Sequence, residues 1–303
     1  MRLAILCAGQ GAQNVGMFDL ARCDPVLADR IDAWQLPALT AMFANRNAQP
    51  LVVGATCAIW EALRRRLPKP RLVAGYSVGE VSALAVAGVL EAPRAIQVAA
   101  ARAGWMDACV DPACPQGLAA VSGVDQDRLQ HLLAMQGLRA PGQGGSVQIA
   151  IDNGDGHCIL GGALATLQLL GTALQQAGGS MQLLPIGVAS HTSWMADAAA
   201  PLSALLARLP MQAPEMPILT GVDALVVHDA TAATTALVAQ TASQIRWSAC
   251  MDAIAEAGIT VALELGPGAA LSRMLQRRHP QIACRSASEF RSVDAVSAWV
   301  ARQ

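Results

Sequence analysis

Short apolar runs alternate with stretches of helical periodicity along most of the chain. Between residues 49 and 66, apolar side chains recur at the spacing of one helix face, and Pro68 and Pro70 end the stretch. We expect strands at 3–7, 71–74 and 260–265, and helices at 49–66 and 78–90. Strand, turn and helix in repetition predict an α/β fold with a parallel sheet covered on both faces.

The middle of the chain has a different order of elements. Asp125 is placed to cap a helix, and the Asn-Gly-Asp-Gly run at 153–156 is typical of a turn between two hairpin strands. The pattern predicts strands at 117–123, 147–151, 157–161 and 181–185, and helices at 125–136 and 164–177. This β-α-β-β-α-β order is the ferredoxin-like pattern. We therefore predict a small ferredoxin-like subdomain at 116–186, inserted in a larger α/β domain formed by 1–115 and 187–303.

Composition narrows the classes of function. Of 303 residues, 53% are hydrophobic, 14% are charged and 3% are aromatic, and the formal net charge is −1. This length and apolar content allow a sizeable aliphatic core. The small net charge gives no electrostatic reason to expect nucleic acid or an anionic membrane as a partner, and few aromatic rings are available to stack on bases.

The sequence predicts neither a membrane span nor a secretory leader. The best candidate for a span, 81–90, has about half of the roughly 20 apolar residues that a spanning helix needs. The N-terminal apolar stretch 3–8 lacks the small-residue cleavage site of a signal peptide. We expect a soluble protein located in the cytoplasm.

The eight cysteines and five histidines give no sign of a metal site. No cysteine pair has CxxC spacing, and no histidine completes a zinc motif, so no bound metal is expected. Cys109 and Cys114 are close enough in sequence for a disulfide, but free thiols are favoured because the cytosol keeps cysteines reduced.

The run Gly75-Tyr76-Ser77-Val78-Gly79 matches the G-x-S-x-G pattern of a nucleophile turn. A serine on a tight strand-to-helix turn is crowded, and side chains in place of the two glycines would clash. Such a turn exposes the hydroxyl and directs the free N–H groups of the next helix to the same point. The alternative is a glycine turn in which Ser77 is an ordinary helix N-cap.

A nucleophilic serine needs a base, which is usually a histidine. His191 follows the apolar run 183–189, at the point where the chain is expected to re-enter the large domain. Because α/β folds place their chemistry at strand ends, His191 is the favoured base. The other candidates are His131, His157, His228 and His279.

The acid of a possible catalytic triad is not evident from the sequence. Glu91, Asp152 and Asp155 lie between Ser77 and His191, as the chain order of a hydrolase triad requires. None of the three sits at a predicted strand end of the large domain. A serine–histidine dyad without a carboxylate therefore stays open.

Two further features belong to the same candidate site. The glycine loop at 9–13 follows the first predicted strand, and its backbone could join the N–H of Val78 in an oxyanion hole or simply form a turn. Arg102 lies in a stretch that is almost free of charge, so it needs an anionic partner. That partner could be a substrate carboxylate, or a structural carboxylate such as Glu80 or Asp107.

Several motifs in order resemble those of the malonyl-CoA:acyl carrier protein transacylase family. The resemblance covers nearly the whole chain. It rests on GQGAQ at 9–13, NRNAQP at 45–50, GYSVGE at 75–80, RAGWMD at 102–107, VASH at 188–191, LVAQTASQIRW at 237–247 and ELGPGAAL at 264–271.

The resemblance implies a role for each of these residues. Ser77 would carry the acyl group, and His191 would act as base and then as acid. Backbone N–H groups of Gln10 and Val78 would form the oxyanion hole. Arg102 would hold the malonyl carboxylate, and Gln240 would fix the histidine through a carbonyl, in place of a triad acid.

The resemblance also implies a fold, substrates and partners. The fold is a hydrolase-like α/β domain with a ferredoxin-like insert. Malonyl-CoA and the prosthetic arm of an acyl carrier protein would be substrates, with no bound cofactor.

Tyr76, the NRNAQP segment and the compact length look most like the acyltransferase (epsilon) subunit of malonate decarboxylase, in which other decarboxylase subunits would be partners. The alternatives are a transacylase of fatty-acid or polyketide synthesis, a serine esterase, or a non-enzymatic assembly subunit.

Overall fold

A computed structural model of the protein describes residues 1–135 and 147–303. Two sheets are formed by the strands β1 (Leu3–Cys7), β2 (Leu72–Gly75), β3 (Gln116–Ser122), β4 (Gln148–Gly154), β5 (His157–Ala163), β6 (Ser180–Leu183), β7 (Ile218–Leu219), β8 (Val226–Val227), β9 (Ile245–Arg246), β10 (Val261–Leu265) and β11 (Ala283–Ser286).

Helices surround these sheets. They are α1 (Asp19–Arg22), α2 (Pro25–Ala33), α3 (Asn45–Leu63), α4 (Gly79–Val86), α5 (Ala92–Ala108), α6 (Gln126–Met135), α7 (Leu164–Gln176), α8 (Ala196–Leu206), α9 (Ala230–Ala242), α10 (Trp247–Glu256), α11 (Ala270–Arg278) and α12 (Val293–Ala301). None of the helices in the described part of the chain is long and apolar enough to cross a membrane.

The first sheet has the strand order β11-β10-β1-β2-β7-β8. Its pairs are parallel, except that the edge strand β8 is antiparallel to β7. All five residues of β1 are buried. Leu3 and Ile5 face one apolar cluster, while Ala4 and Leu6 face another, so both faces of the sheet are covered. The predicted parallel α/β sheet is thus confirmed.

The second sheet has the order β6-β3-β5-β4-β9. The pairs β3–β5, β3–β6 and β4–β5 are antiparallel, and helices α6 and α7 complete the ferredoxin-like order. A fifth strand was not predicted: β9, from the later part of the chain, pairs in parallel with β4. This pairing joins the second sheet directly to a segment outside residues 116–186. The division of the chain at 116–186 stays a prediction.

Several helix ends differ from those predicted. Helix α3 begins at Asn45 rather than at residue 49. The polar side chain of Asn45 is not exposed to solvent in a loop but donates to Ala103 O and to Asp107 on α5, which holds this first turn in the helix. Helix α4 ends at Val86 rather than at residue 90. Gly88 has φ +77°, and its N–H bonds to the carbonyl of Ala85, so it turns the chain out of the helix.

The predicted cap on α6 is present, since the N–H of Arg128 donates to Asp125 Oδ1 at 2.7 Å. The predicted last residue of this helix, Gln136, lies outside the described residues. Cys109 and Cys114 are both free thiols, so the alternative of a disulfide between them is wrong.

Candidate active site

Ser77 lies on a sharp turn at the end of β2. Its φ is +57°, a left-handed conformation that costs a residue other than glycine on the order of 1–3 kcal/mol. The N–H of Gly79 donates to the carbonyl of Tyr76 at 2.9 Å, and that of Glu80 donates to the carbonyl of Ser77 at 3.0 Å. Helix α4 therefore starts immediately after the serine.

The two glycines of the motif are required by close backbone contacts. A Cβ on Gly75 would lie 2.2 Å from the backbone nitrogen of Glu80, and one on Gly79 would lie 2.2 Å from the carbonyl oxygen of Cys7. Val78, not Ser77, holds the N-cap position of α4, and no side chain caps the helix. The alternative that Ser77 is an ordinary N-cap is therefore wrong.

The structure brings Ser77 and His191 together. Ser77 Oγ lies 2.7 Å from His191 Nε2, and His191 Nδ1 lies 2.6 Å from the backbone carbonyl oxygen of Gln240. Because a carbonyl only accepts hydrogen bonds, Nδ1 carries the proton, which leaves Nε2 to accept from the serine. This is the arrangement of a nucleophile, a base and a group that orients the base.

His191 is deeply buried, with 1% of its surface exposed. Burial and then the positive charge of Arg102 lower the pKa of His191 to about 3, although the hydrogen bond to Gln240 opposes the shift. The imidazole is consequently neutral at physiological pH. A neutral ring is the form that can take a proton from Ser77.

The carboxylates considered from the sequence lie elsewhere. Asp152 accepts from Gly154 N–H and Ser248 Oγ, Asp155 pairs with Arg278, and Glu91 precedes helix α5. Gln240 instead serves the site twice. Its backbone carbonyl holds His191, and its side-chain Nε2 donates to the carbonyl of Ser77 at 3.0 Å.

The first glycine loop packs against the serine turn. A Cβ on Gly9 would lie 2.9 Å from both Cδ1 and the carbonyl oxygen of Tyr76, and Gln10 lines the same cavity as Ser77. Within residues 1–135 and 147–303, the backbone N–H groups of Gln10 and Val78 donate to no other group. With the N-terminus of α4, these unpaired N–H groups are available as hydrogen-bond donors in this part of the site.

Arg102 projects from α5 into the same cavity, and 1% of its surface is exposed. Its Nη1 donates to Gln49 Oε1 at 2.7 Å. Its Nε and Nη2 are buried and find no hydrogen-bond partner among the described residues. Burial lowers the pKa of the Arg102 guanidinium to about 10, although the charge of Glu80 opposes the shift, so Arg102 stays charged.

Neither structural carboxylate proposed for Arg102 contacts it. Glu80 accepts the N–H of Gly221 at 2.9 Å, and Asp107 accepts from Asn45 Nδ2 at 2.8 Å. The free Nε and Nη2 form one edge of the guanidinium, the edge that pairs with both oxygens of a carboxylate. The geometry therefore favours an anionic ligand over a structural ion pair.

Sequence reasoning gave no role to Gln49, although it orients Arg102. Gln49 is 1% exposed, and its Nε2 donates to Asn45 Oδ1 at 2.9 Å and to Met106 Sδ at 3.5 Å. These contacts fix the side-chain oxygen of Gln49 toward Arg102 Nη1. The available signal was a glutamine inside an otherwise apolar stretch of helix.

The cavity shared by these groups has a volume of about 240 Å³. Polar groups lie along one part, namely Gln10, Gln49, Ser77, Arg102 and His191. Much of the remaining lining is apolar and comes from the second sheet and the segment after it: Leu118, Ile151, Ile159, Leu184, Pro185 and Ile186. The site thus lies between the two sheets, at the end of β2 where α/β folds bind ligands.

A serine–histidine pair on a glycine turn at the end of a parallel strand defines the class of α/β proteins that transfer acyl groups through a serine. The chain belongs to the acyl transferase domain family, whose model matches residues 40–299. The prediction of an acyltransferase is thereby confirmed.

Known relatives and solved structures agree with this assignment. The malonyl CoA-acyl carrier protein transacylase of Salmonella typhimurium is 30% identical over 91% of this chain and 92% of its own length. The acyl-carrier-protein S-malonyltransferase of Burkholderia pseudomallei has a TM-score of 0.89 at 26% identity, covering 98% of this chain and 100% of its own. A malonyl-transacylase solved with its type II polyketide synthase acyl-carrier protein also has a TM-score of 0.89, at 26% identity, covering 98% of this chain and 99% of its own.

Proposed function

We propose that the protein transfers a malonyl group from malonyl-CoA, through an ester on Ser77, to the thiol of an acyl carrier protein. One observation carries the choice of acyl group. The buried guanidinium of Arg102 presents Nε and Nη2 without partners among the described residues, in the cavity that contains Ser77 and His191. A malonyl group supplies the carboxylate that this edge lacks, whereas an acetyl group does not.

In the first half-reaction, Ser77 Oγ attacks the thioester carbonyl carbon while His191 Nε2 takes the hydroxyl proton. The N–H groups of Gln10 and Val78 stabilise the oxyanion of the tetrahedral intermediate. The carbonyl of Gln240 stabilises the imidazolium through Nδ1–H. The C–S bond then breaks, His191 returns the proton to the departing sulfur, and CoA leaves with malonyl bound to Ser77.

The second half-reaction reverses these steps with a different thiol. The thiol of the carrier arm gives its proton to His191 Nε2, and its sulfur attacks the ester carbonyl. The C–O bond to Ser77 breaks, and the proton returns to Oγ. CoA and the carrier arm are thus substrates, and the mechanism uses no resident cofactor.

The proposal also concerns which kind of acyl carrier protein accepts the malonyl group. Salmonella typhimurium and Haemophilus influenzae relatives are named malonyl CoA-acyl carrier protein transacylases, which favours the ordinary carrier of fatty-acid or polyketide synthesis. This was the alternative in the sequence prediction, and it is now the better-supported one. Tyr76 and the NRNAQP segment are the observations that favour a malonate decarboxylase carrier instead. The malonate decarboxylase resemblance implies a carrier with a dephospho-CoA-derived arm in place of phosphopantetheine. Transfer rates to one carrier of each kind distinguish the two.

The first test is intact mass spectrometry after incubation with malonyl-CoA. We expect one malonyl group on the wild-type protein and none on Ser77→Ala. Ser82→Ala is the matched control, because Ser82 lies in helix α4 just after the serine turn, is fully buried, and its hydroxyl has no hydrogen-bond partner among the described residues. It should be acylated normally. Release of CoA without an adduct would indicate an esterase, and no reaction at all would refute the proposal.

A further inference from the structure

Tyr76 is the only tyrosine in the chain, and it directly precedes the candidate nucleophile. Its backbone is fixed on both sides, since its N–H donates to Cys7 O at 3.0 Å and its carbonyl accepts from Gly79 at 2.9 Å. The side chain lines the cavity beside Ser77. A change in what the ring contacts therefore acts next to the reacting group.

The tyrosine side chain connects the serine turn with the second sheet. Its hydroxyl donates to Asn153 Oδ1 on β4 at 3.1 Å. Its ring packs edge-on against Trp247, with the centroids 5.3 Å apart, and Trp247 is fully buried. Burial raises the pKa of the Tyr76 phenol above its ordinary value, so the hydroxyl stays protonated and able to donate.

Strand β4, which carries Asn153, also carries part of the apolar wall of the cavity. Ile151 lies two residues before Asn153 on the same strand, and Ile159 on β5 lies opposite Ile151. Ser190, which lines the cavity beside His191, is small and fills little of the space. The position of β4 therefore sets part of the width of the cavity that contains Ser77.

We propose that Tyr76 is a positioning residue that holds β4 close to the serine turn through Asn153 and thereby excludes α-branched acyl groups. This inference rests on the proposed malonyl transfer and specifies its acyl selectivity. Without the hydrogen bond, Ile151 and Ile159 can move away from Ser77 and admit a methyl branch. Tyr76→Phe removes only the hydroxyl and keeps the ring against Trp247.

The test measures kcat/KM for malonyl-CoA and for methylmalonyl-CoA, with the same carrier protein as acceptor. We expect the preference of the enzyme for malonyl-CoA to fall about three- to tenfold in Tyr76→Phe, the range that one hydrogen bond represents. Asn153→Ala should give a similar fall. Because both changes break the same contact, the double variant should fall no further than either single variant.

Ser82→Ala, which removes a buried hydroxyl on the neighbouring helix, should leave the preference unchanged. Equal losses with both thioesters, or single-variant effects that multiply in the double variant, would overturn the positioning role. If Tyr76→Phe does not fold, Asn153→Ala tests the same hydrogen bond from its other side. A wild-type protein that takes no malonyl group overturns the proposed function itself, whereas a normal wild-type adduct with an unchanged preference overturns only this inference.

Discussion

Replacing Arg102 with alanine removes the one buried cation that lines the cavity around Ser77 in the described structure. In the free protein, two of its donors lack partners among the described residues, so the full benefit of the guanidinium is obtained only when a carboxylate binds. An acetyl thioester offers no carboxylate and gains nothing from these donors. The substitution should therefore act on malonyl transfer selectively.

The size of this effect follows from the contacts that would be lost. A hydrogen bond to a charged group contributes about 1.5–3 kcal/mol, and the free edge of Arg102 can form two, which gives about 3–6 kcal/mol. Since about 1.4 kcal/mol corresponds to a factor of ten in rate, the preference for malonyl over acetyl should fall by roughly 10²- to 10⁴-fold.

The assay compares kcat/KM for malonyl-CoA and acetyl-CoA in the wild type and in Arg102→Ala. Arg94→Ala is the matched control, because Arg94 lies on the same helix but is exposed and bonds only to Gln97 among the side chains described. It should leave the preference as it is. Equal losses for malonyl and acetyl in Arg102→Ala would refute the carboxylate clamp.

Two further predictions concern the turn and the base. Gly79→Ala should lower the free energy of unfolding by about 2–4 kcal/mol and slow acylation, because the new Cβ would collide with the carbonyl oxygen of Cys7. Gly104→Ala, whose Cβ would have open space around it, should instead stabilise α5 by about 0.5–1 kcal/mol. Equal effects of the two variants in urea unfolding would contradict this account. Because the pKa of His191 is lowered to about 3, the base stays neutral well below pH 6.5, so the pH profile of the CoA-release rate should show no fall near pH 6.5; such a fall would show the shift to be wrong. The free energy of unfolding should decrease as the pH drops from about 6.5 toward 3, since only the unfolded ring takes up a proton in that range.

Sequence reasoning located the side chains of the site but not all of the groups that orient them. Ser77 and His191 could be found because glycine turns and strand ends leave recognisable patterns. The acceptor on His191 Nδ1 is the backbone carbonyl of Gln240, which the family resemblance indicated. Because every residue possesses a carbonyl, periodicity and residue type alone would not have marked it. The contact of Gln49 with Arg102 depends on the packing of α3 against α5, which local periodicity does not describe.

In the fold, the sequence pattern predicted the longer elements but not the strands of two residues. Strand β1, with five consecutive buried residues, was predicted with the correct bounds. Strands β7, β8 and β9 have two residues each, too few for any periodicity to be visible. They form because neighbouring strands offer them hydrogen bonds, so their existence depends on tertiary contacts.

The parallel pairing of β9 with β4 limits how this enzyme can be recombined with its relatives. Ile245 and Arg246 occupy the edge of a sheet that is otherwise built from residues 116–183. A chimera that exchanges only residues 116–186 would set a foreign edge strand against these two residues. Swapping 245–246 together with 116–186 keeps the two partners matched, so functional hybrids should require both segments from the same parent.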